Sequence, residues 1–122
     1  MKLEERIILF SKLGQHFSQV LETEEFEDLL QNAKNRNAWF TIDNLKKAIR
    51  NISETFLNEK EINRFIAEYP ADYFEPIAAK KVGIIAAGNI PLVGFQDLFN
   101  VVLAGHQALY KPSSQDELLI HY

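Results

Sequence analysis

The sequence predicts an α/β protein: a helical N-terminal segment over residues 1–80, then a β-α-β unit over residues 81–122. Three observations carry this. Up to about residue 69 the apolar residues recur at three- and four-residue steps, the spacing of one helix face. Residues 82–87, Val-Gly-Ile-Ile-Ala-Ala, then form a continuous apolar run, the mark of a strand buried on both faces. A second short strand follows after a crossover long enough to make the two strands parallel.

Taken in order, Leu3, Ile7, Phe10, Leu13, Phe17 and Val20 define the first helix. Thr23 caps a second that carries Phe26, Leu29, Leu30 and Ala33, with acids in its first turn where the helix dipole favours them. Asn35-Arg36-Asn37 reads as the turn that ends it. Trp39-Phe40 is expected to act as an apolar staple at the next helix start, with a surface anchor as the other reading. Thr41 caps a third helix bearing Leu45, Ala48, Ile49, Ile52 and Phe56. Asn58 with Glu61 resembles a capping box for a short fourth helix carrying Ile62, Phe65 and Ile66. These apolar stripes read as core in preference to an acyl channel or a partner surface.

Pro70 and Pro76 bracket a connector over residues 69–79. After strand 82–87, residues 91–104 suit a helix with Pro91 in its first turn and Gly105 just past its end. Residues 107–111 make the second strand, and Leu118-Leu119-Ile120 opens another helix. Two short parallel strands do not make an independent sheet. The sheet is therefore completed by another copy, or the chain is the N-terminal portion of a longer protein. The second is the expectation.

The totals exclude several functions. A net charge of −4 argues against a nucleic-acid partner or an anionic membrane surface, which needs clustered Lys and Arg. The absence of cysteine excludes a disulfide framework, a zinc-thiolate site and a Cys nucleophile within these residues. Met-Lys-Leu-Glu-Glu-Arg is too charged for a secretory signal, and no apolar run approaches the roughly 18 residues of a membrane span. A cytoplasmic protein is expected.

Chemistry concentrates at two strand ends. Gly88-Asn89 closes the first strand and Lys111-Pro112 closes the second. In parallel sheets ligands lie beyond the carboxyl ends of the strands, where backbone amides and a helix N-terminus favour anions. The Asn89 amide suits a carbonyl oxygen gaining negative charge, a role in which losing one donor costs about 10²–10³ in rate. Lys111 suits ribose hydroxyls or a phosphate. Gly-Asn is also a common turn pair with no ligand, and a strand-ending Lys is commonly just solvated. Neither the G-x-G-x-x-G fingerprint nor the G-x-x-x-x-G-K-[ST] loop is present.

The stretch "GNIPLVGFQDLFNVVLAGHQALYKPSS", preceded by helices, resembles the nucleotide-binding start of the aldehyde dehydrogenase superfamily. Its acyl-CoA reductase branch, similar to the fatty-acid reductase that feeds bacterial luciferase, is the nearer likeness. The specific motif covers about residues 82–116. The resemblance implies the first part of an aldehyde-dehydrogenase-like, Rossmann-type nucleotide-binding domain. It places Asn89 on the amide that holds the thiohemiacetal oxyanion and Lys111 on the lysine that binds the adenosine ribose. Pro112 and Ser113 fall on the pair that shapes that turn. Ser114 stands where many members carry Glu; without that like charge, a 2′-phosphate and hence NADPH is accommodated. His106 replaces the family's Asn and reads as a turn residue.

The family's nucleophile is a Cys that attacks the acyl thioester, and this chain has none. No His–acid pair is evident to activate Ser113 or Ser114, and His16 and His121 read as surface residues. No metal site is expected. The implied whole protein is an NADPH-dependent reductase of acyl-CoA or another acyl thioester, with this chain inactive by itself. The alternative is a non-catalytic module in which the helical segment mediates association and the β-α-β unit pairs across a homo-oligomer.

Overall fold

The computed structural model describes residues 1–75 and 78–122, so Pro76 of the connector lies outside the described residues. Four helices come first: α1 (Leu3–Val20), α2 (Glu24–Arg36), α3 (Ile42–Thr55) and α4 (Glu59–Ile66). Each start has a local cause. The Lys2 amide donates to the Glu5 carboxylate at 2.7 Å, the reach-back of a capping box. Thr23 Oγ1 accepts from the Phe26 amide at 3.3 Å and Thr41 Oγ1 from the Asn44 amide at 3.1 Å. Asn58 Oδ1 takes the amides of Lys60 and Glu61 at 3.0 and 3.3 Å.

Ile7, Phe10 and Phe17 of the predicted α1 stripe are buried, but so are Arg6, Ser11 and Gly14. Gly14 is a site of close approach. A Cβ there would lie 2.7 Å from both Cβ and the carbonyl oxygen of Leu57. Gly14→Ala should therefore destabilise the protein by about 1–3 kcal/mol, although alanine favours a helix by up to about 1 kcal/mol. Chemical denaturation checks this; a gain in stability would mean that α1 shifts freely away from Leu57. Arg6 ties α1 to the connector. Its guanidinium donates to the carbonyls of Met1 and Phe74 and lies 3.8 Å from the Glu75 carboxylate.

The staple before α3 belongs to Phe40 alone. Phe40 precedes the Thr41 cap and is buried with Leu45 in the same core, whereas Trp39 is 84% exposed. Asn37 to Phe40 form a turn, closed by the Phe40 amide on the Asn37 carbonyl at 3.0 Å, which leaves Trp39 at its exposed corner. The connector contains a 3-10 turn over Ala71–Phe74 that buries Phe74.

The β-α-β unit consists of β1 (Lys81–Ile85), α5 (Phe95–Leu103) and β2 (Gln107–Lys111), with α6 (Leu118–His121) after it. The strands pair in parallel, Lys81 opposite Gln107 through Ile85 opposite Lys111. Helix α5 ends in a Schellman turn. Gly105, at φ 81°, donates to Val102 and His106 donates to Val101, both at 3.0 Å.

Two expectations need correction. The first strand is not buried on both faces. Its burial alternates, with Ile84 inside and Ile85 82% exposed, and Leu109 on the neighbouring strand is 52% exposed. Helix α5 packs against one side of the sheet only, leaving Gly83, Ile85, Leu109 and Lys111 on the other. The crossover helix also starts later than residue 91. Pro91 to Gly94 form a turn, with Leu92 in the left-handed region at φ 55°. A helix cannot run through that residue, so it begins at Phe95 with Gly94 as its N-cap.

One hydrophobic cluster extends from Ile7 to Leu119. At its centre Phe99 lies 4.7 Å from Phe10 and 5.5 Å from Phe56, ring centroid to centroid. Among the described residues no helix is long and apolar enough to cross a membrane.

Candidate functional site

The parallel ladder continues one step past β1, where the Ala86 amide donates to the Lys111 carbonyl at 3.0 Å. Beyond it, the turn over residues 87–94 and the turn over residues 112–117 leave the same end of the sheet. They touch at once. A Cβ on Gly88 would overlap Ser113 Oγ and lie 3.0 Å from Ser113 Cβ, so only glycine lets the two turns approach this closely. The helical segment holds the same point. Asn37, 2% exposed, donates from Nδ2 to the Gly88 carbonyl at 2.7 Å, while its Oδ1 accepts from the Trp39 amide at 3.0 Å.

Asn89 follows this clamp and is exposed. Lys111 is exposed on the uncovered sheet face beside Ile85 and Leu109. Pro112 and Ser113 are half-buried and Ser114 is exposed. Ser113 organises its own turn: its hydroxyl accepts from the Gln115 amide at 3.3 Å and its carbonyl from the Asp116 amide at 3.0 Å. The structure thus brings the Gly88-Asn89 turn and the Pro112–Ser114 turn together.

Asp116 is the residue that sequence reasoning missed. It is 8% exposed, and one carboxylate oxygen accepts from the Leu92 amide at 2.6 Å. The other, Oδ1, is buried and has no hydrogen-bond partner. Burial pushes this carboxyl up from 3.8 to about 6, against the opposing pull of the Leu92 amide. Burial also raises the neighbouring Tyr110 phenol, helped by the negative charges of Asp116 and Asp97. Gly94 allows this packing, because a Cβ there would come within 2.5 Å of the Tyr110 hydroxyl. Next along, Glu117 pairs with Arg36 of α2 at 2.5 Å.

Electrostatically the site offers the neutral side-chain amide of Asn89 and the Lys111 cation, both exposed. That set suits a ligand rich in hydroxyls and phosphate oxygens. It holds no evident nucleophile–base pair. His106 accepts from the Lys80 amide at 3.4 Å, at the opposite end of the sheet, and His16 stacks on Tyr122 at 5.7 Å. Among the described residues no cluster of three His, Asp or Glu side chains is placed to hold a metal ion.

Asn37 had been legible only as a turn residue, and Asp116 only as one polar residue among Ser, Gln and Glu. Neither carries a burial signal of its own, because both are buried by chain segments distant in sequence. Comparison of the chain with protein-family models, curated proteins and solved structures finds no match.

Proposed function

We propose that this chain supplies part of the cofactor crevice and one oxyanion donor of an NADPH-dependent acyl-CoA reductase with an aldehyde-dehydrogenase-like, Rossmann-type fold. The observation that carries the reading is the contact of Gly88 with Ser113 beyond the ends of two parallel strands. It joins the turn bearing Asn89 to the turn bearing Lys111 and Ser114, as a shared crevice requires. In this reading the Asn89 amide donates to the acyl oxygen as it gains charge. The Lys111 ammonium donates to the adenosine ribose. Ser113 fixes the turn, and the small neutral Ser114 leaves room for the 2′-phosphate. The attacking thiolate comes from outside these residues, so the chain by itself turns over no acyl thioester.

NADPH titration followed by amide NMR tests this. Shifts confined to Lys111–Ser114 and the Gly88-Asn89 turn are expected. Lys111→Ala should weaken binding about tenfold or more, since hydrogen bonds to charged groups contribute about 1.5–3 kcal/mol. Equal affinity in both proteins would remove Lys111 from the site.

The uncovered sheet face, with Ile85 82% and Leu109 52% exposed, favours a second reading as a non-catalytic, self-associating module. A concentration-independent dimer indifferent to NADPH would select it.

A further inference from the structure

The turn over residues 87–94 is strained and held from three directions. Leu92 adopts φ 55° although it carries a branched side chain, and that side chain is buried. Non-glycine residues in this region persist only where their surroundings over-determine them, and they gather at functional sites. Asn37 grips the turn through the Gly88 carbonyl, and Ser113 packs against Gly88 itself. The third hold is Asp116. Its carboxylate takes the amide of the strained residue at 2.6 Å, and its own amide donates to Ser113 at 3.0 Å. One residue thereby bonds both turns of the candidate site.

We propose that Asp116 is a positioning residue that locks the turn bearing Asn89 onto the turn bearing Lys111–Ser114, and that the neutral carboxyl is the form that locks. The role it gives Asn89 rests on the reductase reading; the lock itself does not. Ionisation places a charge in a buried site where the Leu92 amide alone receives it, at one of the two oxygens. Oδ1 has no hydrogen-bond partner, and the Tyr110 phenol on β2 feels the charges of both Asp116 and Asp97 of α5. Arg36 of α2 is engaged by Glu117, the residue after Asp116. An ionised Asp116 is drawn toward water, and the Leu92 turn loosens with it. The elevated proton affinity of the group agrees with this direction.

The test is a pH titration of the full chain by NMR, reading the Leu92 backbone amide and the Asn89 side-chain amide. In the wild type both should move together through one transition near pH 6. The D116N variant keeps an acceptor for Leu92 and every other titratable group, so it isolates Asp116. It should abolish the transition at both positions and leave them at their low-pH values. Asp116→Ala should displace both signals at every pH. A transition that persists in D116N, or an Asn89 amide that does not follow Leu92, overturns the proposal. NADPH added to the same samples separates the two ideas. Its failure to perturb Lys111–Ser114 defeats the reductase reading, whereas the coupling stands or falls on Leu92 and Asn89.

Discussion

Alanine at Phe26 should lower the free energy of unfolding by about 3–5 kcal/mol, the cost of deleting a buried aromatic ring and leaving the space behind it. Phe26 is 1% exposed. Its ring meets Tyr122 edge-on at 5.0 Å and lies 6.5 Å from Phe17, so it joins α1, α2 and the C-terminal residues. Its amide is also the one that Thr23 caps, and the substitution leaves that bond intact. The loss therefore reports packing alone. Domains are stable by about 5–15 kcal/mol, so the variant should sit near the edge of folding. Urea denaturation should show a much lower midpoint at an unchanged slope. A loss below about 1 kcal/mol would mean that the surrounding helices close over the space.

Asp116 should make stability depend on pH in the direction opposite to most carboxylates. Unfolded, the group releases its proton around 3.8; folded, it holds it to about 6. Between those values the folded protein binds a proton that the unfolded chain has lost. Its contribution is thus fully present below pH 4, fades as pH rises through 6, and is gone above that. A shift of this size corresponds to about 3 kcal/mol at most. The D116N variant, neutral throughout, should gain about 1–3 kcal/mol over the wild type at pH 8 and nothing at pH 4. Denaturation at the two pH values measures the difference, in which the remaining carboxylates cancel. A variant equally destabilised at both would make Asp116 an ordinary structural hydrogen-bond acceptor.

What could be read in advance was local in origin. Thr23, Thr41 and Asn58 cap their helices through amides two or three residues away, and Gly105 ends α5 through its own turn. The parallel direction of the two strands also followed from short-range evidence, two apolar runs and a crossover of sufficient length. What escaped was tertiary. A continuous apolar run looked like a strand covered on both sides, but cover depends on which other elements are present, and α5 reaches only one face. Pro91 suits a helix start; the buried carboxylate of Asp116, 24 residues from Leu92, accompanies a left-handed turn there instead. In the candidate site, Asn89 and Lys111 stood out by residue type and position, and Pro112–Ser114 through the family resemblance. Asn37 and Asp116, which hold those turns in place, did not, because their importance lies in what the fold brings beside them.

Two parallel strands alone make a marginal ribbon. Here the ribbon is backed by α5, whose Phe99 is seated between Phe10 of α1 and Phe56 beyond α3. The two turns at the strand ends consequently inherit their placement from side chains far from them. A change at Phe10 or Phe56 is therefore felt at the strand ends through α5, and compensating changes should arise across the aromatic joint before they arise among the polar residues there.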